Sequence, residues 1–328
     1  MKKIKPLALI IILAFSLPYI YGGCGGGGGG GGDGGVDSLS YSGIESAADI
    51  TSGNAQEIVA SAYFGADAGV GTIVIPENQG IQDHNNLDVP ILTVAQVLDN
   101  AIHQVNLRPY GTNTISAIID DSDTIPGECG GSAFYTIRID DVAGTFTGKM
   151  TFSDYCEDDI ILSGRANFSG SFDILTGDIL ELSIFFNNLS ETNAGETYRF
   201  DGEINIVESG GSILIDLELL IQNPSGEVFW VNNYFITLTE GPGYEDVEAT
   251  GRFYHPNYGY VDFSTEVTLR TLDIDDWPSS GTLLFEGANN TSARLIAVDA
   301  LTAQVTADTD GDTIVDFDTG PINWEDLY

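Results

Sequence analysis

The densest group of residues able to do chemistry lies near the C-terminus, where Asp308, Asp310, Asp312 and Asp316 stand at positions 1, 3, 5 and 9 of one short stretch. Calcium takes six to eight oxygen ligands at about 2.3–2.6 Å, and alternating carboxylates around a tight turn can supply them. Two places depart from a complete calcium loop: Thr313 stands where the turn calls for glycine, and Thr319 where a bidentate glutamate would close the shell. The same residues also read as a metal-free β-hairpin from Val305 to Ile314, with Asp310-Gly311 as a two-residue turn. Calcium is the one cofactor the sequence suggests, beside a hairpin that needs none.

Other reactive residues are sparser. Cys129 and Cys156 form an even pair once Cys24 is set apart, and in an oxidising compartment they are expected to join in a disulfide. His84, His103 and His255 show no metal-ligand spacing. The run Tyr254-His255-Pro256-Asn257-Tyr258-Gly259-Tyr260 is rich in aromatics, which stack on ligands or, in a β protein, form a turn and its adjoining core. With 49 acidic residues, a carboxylate pair carries almost no information. No glycine-rich phosphate loop links a strand to a helix. The reading therefore assigns no catalytic residue and expects a non-enzymatic protein.

Charge narrows the partners. The formal net charge is −38, and removal of Lys2, Lys3 and Lys5 leaves 8 basic residues against 49 acidic ones, or −41. Such a field repels nucleic acid and anionic headgroups, while it favours solubility and divalent cations. An acidic surface also suits a saline habitat.

The N-terminus reads as an export signal over residues 1–23: three lysines, an apolar run from Leu7 to Leu17, then Pro18 and small residues before Cys24. That run is shorter than the ~20 apolar residues a spanning helix needs. Tyr21-Gly22-Gly23-Cys24 resembles the lipobox of bacterial lipoproteins, with Tyr where that pattern usually has Leu. The glycine tract from Gly25 to Gly32 strengthens the resemblance, which implies that Cys24 is acylated, that residues 24–35 form a lipidated tether, and that the membrane partner is reached through this anchor. Gly25 lacks the aspartate of retained inner-membrane lipoproteins, so the resemblance implies the outer membrane. Gly127-Glu128-Cys129-Gly130-Gly131 resembles the nucleophile motif of chymotrypsin-like cysteine proteases, which would make Cys129 a nucleophile with His84 or His103 as base. Against that reading stand Cys156 and the helices and loops that precede Cys129 in place of a barrel.

Two elements of helical period fall in a mixed helix and loop segment over residues 36–126. One, capped by Thr51 or Ser52, places Ala55, Ile58, Val59, Ala62 and Tyr63 on one face; the other follows Pro90, aligns Val94, Ala95, Leu98, Ala101, Ile102 and Val105, and stops at Pro109. From about residue 127 to 328 the period becomes two, in roughly a dozen strands separated by turn signals. The fold class is mainly β: an antiparallel up-and-down meander forming a curved sheet, barrel-like or sandwich, with two short N-terminal helices. Gly148, Gly164, Gly202, Gly251 and Gly287 interrupt the apolar faces, as expected at bends and bulges, and they argue against a lipid-facing barrel, which would want bulk there. The expected role is an envelope-anchored structural or interaction protein. The alternatives are a carrier of a small apolar ligand inside a closed sheet and a calcium-dependent adhesion or surface module, with the protein partner or ligand unassigned.

Overall fold

The computed structural model describes residues 38–70, 118–157, 159–174, 178–193 and 195–327. The signal over 1–23, Cys24 with its tether, the helix after Pro90, His84 and His103 lie outside the described residues.

Alternating burial builds one long antiparallel meander. Its strands are β1 (Ile118–Pro126), β2 (Gly130–Asp140), β3 (Thr145–Glu157), β4 (Ile160–Phe172), β5 (Ile179–Asn193), β6 (Glu196–Ser209) and β7 (Ser212–Gln222). There follow β8 (Val228–Gly241), β9 (Tyr244–His255), β10 (Gly259–Leu272), β11 (Ser280–Glu286), β12 (Ser292–Asp299) and β13 (Thr302–Asp308). Two short strands, β14 (Phe317–Asp318) and β15 (Ile322–Asn323), both pair with β13. Spatial order follows sequence order from β1 to β14, and among the described residues β1 and β14 do not pair. The expected antiparallel meander is present as one sheet, which among the described residues neither closes into a barrel nor splits into two. The polar strand β1 belongs to this sheet, although the sequence places residues 118–126 in the mixed segment.

One face carries the core. Tyr135, Ile137 and Ile139 on β2, Leu182, Ile184 and Phe186 on β5, and Ile215, Leu217 and Leu219 on β7 are buried at alternate positions, and all belong to one contiguous cluster. Among the described residues there is one α-helix, α1 (Ala55–Val70), packed against β8, β9, β12 and β13. Its predicted face is the one buried: Ala55, Ile58, Val59 and Ala62 lie in the core, and Tyr63 packs against it. The helix begins after the predicted cap, because Thr51 forms a turn with Asn54, whose carbonyl accepts the bond from the Ile58 N–H (2.9 Å).

A seam of irregularity lets the sheet bend. Asp154 (φ 50°), Asn188 (φ 51°) and Asn233 (φ 50°) sit at register shifts in β3, β5 and β8, where an extra residue increases local twist. In β10 the shift is bridged by Thr265, whose hydroxyl accepts from the Ala249 N–H (2.7 Å) and donates to the Ala249 carbonyl (3.1 Å). The interior glycines serve this seam or fill around it. A Cβ on Gly164 (φ +123°) would lie 2.2 Å from the Asn188 carbonyl oxygen. Gly148 pairs with Phe168 and Gly170 with Phe146, and each ring lies over the facing glycine, a pairing that restores packing where a glycine leaves a gap.

Gly164→Ala should destabilise the protein by about 2–4 kcal/mol, because the substitution adds both a forbidden backbone conformation and a clash with backbone that cannot yield. Urea unfolding checks this, with the exposed Ser169→Ala in the same strand as the mild control.

Candidate metal centre

Strand β13 carries Ala303, Val305 and Ala307 into the core, then delivers Asp308 to its end at 6% exposure. Sheet pairing resumes only at Phe317, opposite Ala307. Residues 309–316 therefore form a long loop, and the predicted hairpin with a two-residue turn at Asp310-Gly311 is not formed. The reason is visible in Asp308, which draws the chain around itself. Its Oδ1 accepts from the N–H groups of Gly311 (2.8 Å) and Asp310 (3.3 Å), and its Oδ2 from that of Thr313 (2.7 Å). Asp316 Oδ2 accepts from the Thr309 N–H (3.0 Å) and hydroxyl (3.1 Å), which closes the loop.

Thr313 takes the left-handed conformation (φ 74°) at the place where glycine is expected, an unusual choice for a β-branched residue. One carboxylate oxygen each from Asp308, Asp310 and Asp316 lie within 4.8 Å of one another. Asp312 does not join this set; its Oδ1 accepts from the Ile314 N–H (2.8 Å). Thr319 supplies no ligand either, since its hydroxyl accepts from the Val305 N–H (3.0 Å) and so fixes the chain to β13.

The electrostatics divide the three. Burial works against the charged form of Asp308, but N–H donors from Thr313, Gly311, Asp310 and Asp312 together outweigh it and hold its pKa below the ordinary value. The Asp312 N–H lowers that of Asp310, yet partial desolvation and repulsion from Asp312, Asp316 and Asp308 leave it raised overall. Three converging carboxylates supply about half the oxygen shell that calcium requires, with backbone carbonyls or water to complete it.

The remaining candidates resolve separately. Cys129 and Cys156 are joined, with Cα atoms 5.1 Å apart and a sequence separation of 27. Closing that loop stabilises by about 3–4 kcal/mol in the chain-entropy model. In this state Cys129, the residue that the protease resemblance of Gly127–Gly131 would make a nucleophile, is a bonded sulfur.

His255 is buried, accepts at Nδ1 from the Asn257 N–H (3.2 Å) and presents Nε2 to Glu57 at 3.5 Å. Burial holds its pKa below the ordinary value, although Glu57 and Glu227 pull the other way. The aromatic run around it is used in packing. Trp230 stacks on Tyr254 (4.5 Å), Tyr41 lies against both, and Arg252 covers Tyr260 (3.9 Å). This is the turn-and-core arrangement, with ring faces occupied by one another.

Glu245 was not singled out in the sequence, though it shares the parity of Val247, Ala249 and Phe253 in β9 and so turns inward. Its Oε1 is buried with no hydrogen-bond partner among the described residues. Burial, aided by Glu240 and Asp273, pushes its pKa up to about 7.

Comparison with protein-family models, with curated proteins and with solved structures returns no match. The site is therefore read from its own geometry.

Because Glu245 holds its proton more tightly folded than unfolded, stability should fall as pH rises from its ordinary range through about 7. Glu245→Gln removes that loss. The variant should gain up to about 3 kcal/mol over the parent at pH 8 and little at pH 4, as read from chemical denaturation at the two pH values.

Proposed function

We propose that this protein is an envelope-anchored structural or interaction module, without enzymatic activity, held at the outer membrane through an acylated Cys24 and stapled at its C-terminal loop by calcium. The observation that carries the structural half is the filling of the sheet's inner face. The Phe168 ring occupies the space beside Gly148, and the Tyr234 ring that beside Gly251, at 2.3 and 2.4 Å from where a Cβ would sit. Space taken by the chain's own rings favours a packed module over a carrier of a small apolar ligand. Among the described residues no helix is long and apolar enough to cross a membrane, a finding that bears only on helical spans. The anchor rests on the lipobox resemblance and the glycine tract, and acyl chains supply roughly 0.8 kcal/mol of membrane affinity per buried CH₂.

The calcium staple is supported by the convergence of Asp308, Asp310 and Asp316 and by the net charge of −38, which favours divalent cations. A calcium-dependent surface module is the same reading with the loop turned to an external partner.

Two experiments bear on this. Saturating calcium should raise the melting temperature by roughly 5–10 °C over a chelated sample, a span set by linkage and by the size of the domain. Asp308→Asn should erase the difference, and coincident curves for the parent protein would remove calcium from the proposal. For the anchor, Cys24→Ser should move the protein from the membrane fraction to the soluble fraction; retention in the membrane would show that acylation of Cys24 is not what holds it.

A further inference from the structure

A cavity of about 610 Å³ opens over β1–β4, a size in the range of small-molecule sites. Its centre is a row of cross-strand neighbours, Thr136, Lys149 and Asn167, and the row continues to Phe185 on β5. Directly opposed residues in adjacent strands stand about 5 Å apart, so this row presents a hydroxyl, an ammonium, an amide and an aromatic ring in succession. Next to it runs a second row, Asp120, Arg138 and Thr147.

The charges are unequally spent. Arg138 faces Asp120 at 3.5 Å. Asp121 shares the parity of the core-facing Ile119 and pairs with Ile137; with burial as the main cause, Asp121 and Asp123 keep the Tyr135 hydroxyl protonated. Lys149 is the only lysine beyond residue 5. It is exposed, and among the described residues no carboxylate comes within ion-pair distance of it. Elsewhere the contrast is plain: Arg252, Arg270 and Arg294 are each gripped through two N–H donors by Asp262, Asp246 and Glu266. In a chain with 49 acidic residues, one exposed cation left without a carboxylate in an open depression of the sheet is available to an anion from outside.

The surroundings limit what that anion can be. A second negative charge close to the first would meet Asp120, so the ligand carries its carboxylates spaced apart, no more than one to a ring. Hydroxyl and amide groups beside the lysine match a ligand rich in hydroxyls. Phe185, 45% exposed at the end of the row, offers a flat apolar surface to the C–H face of a sugar ring. We propose that this cavity binds an acidic saccharide, with its carboxylate on Lys149, its hydroxyls on Thr136 and Asn167, and a neighbouring ring on Phe185.

The test is isothermal titration of the full chain at physiological salt, with digalacturonate as the acidic probe, maltose as the neutral one and inorganic phosphate as competitor. Digalacturonate should bind saturably and maltose about tenfold more weakly or not at all; Lys149→Gln and Phe185→Ser should each weaken digalacturonate about tenfold with an unchanged melting temperature. Absence of saturable binding to the parent overturns the proposal, as does a Lys149→Gln variant that binds like it. Displacement of digalacturonate by phosphate, with Phe185→Ser binding as the parent does, would make this a plain oxyanion site and overturn the saccharide assignment.

Discussion

A single sheet can hide only one of its faces, and the architecture follows from that constraint. Fourteen strands in sequential order satisfy backbone hydrogen bonds locally, so topology carries little cost in long-range pairing. Burying the apolar face is harder, since a flat sheet of this width would leave it wet. The seam through Asp154, Gly164, Asn188 and Asn233 changes the register so that the strands turn while the apolar side chains stay inside. Around β8–β13 the cover comes from α1, whose small residues Ala55, Ala60 and Ala62 allow close approach. A Cβ on Gly65 would lie 3.1 Å from Val231 and 3.2 Å from Phe253.

An open sheet must also protect its edges. On β1, Asp121 and Asp123 share the face used by the core residues of β2, and Pro126 ends the strand without an N–H donor. Charges facing inward and a terminal proline make β1 a poor template for another strand. At the far edge β13 is covered by two short pieces, β14 and β15, separated by a turn. The acidic surface is eased on β9, β10 and β12 through the paired Arg252, Arg270 and Arg294. These pairs are exposed or half-exposed, so they relieve repulsion more than they add attraction.

Much of this was legible in the residues. Strands β2–β11 follow from period two, and the helical face of Ala55–Tyr63 follows from period 3.6; Leu295 to Val305 reads as one run but is the β12–β13 hairpin. Of the interior glycines, Gly164, Gly202 and Gly251 lie at register shifts, whereas Gly148 and Gly287 mark the close approach of a ring and of the Ala48 carbonyl. What escaped were the bulges themselves, although they leave a trace: Phe152 and Tyr155, Phe186 and Leu189, and Val231 and Tyr234 are all buried pairs three residues apart, a slip of one in the alternation. Strand β1 escaped because Asp120, Asp121, Ser122 and Asp123 interrupt its apolar pattern, and edge strands are selected for such interruption. The loop at Asp308 escaped for a different reason. Asp310-Gly311 is a strong local hairpin signal, but the carboxylate of Asp308 accepts three N–H groups and outcompetes it.

The two ends of the described chain meet on the same strands, and this bears on how an anchored body would carry load. Residues 38–50 run as a strap along the strand ends. The Leu39 N–H donates to Asp201, the Ala48 N–H to the Tyr260 carbonyl (2.7 Å), and the Ile50 N–H to the Thr291 hydroxyl (3.1 Å). From the other direction, Trp324 packs between Tyr63 and Trp277, and Gln56 donates to the Leu327 carbonyl (3.2 Å). The Asp308–Asp316 loop rests between these systems, because Gly311 lies against Asn289, which reaches back to Asp49 (3.4 Å). A tether pulling from residue 38 would thus meet first the Asp201 contact, then a strap whose far end is braced by the C-terminus. A cation that tightened the loop would stiffen that brace, which gives the calcium proposal a mechanical consequence at the point of attachment.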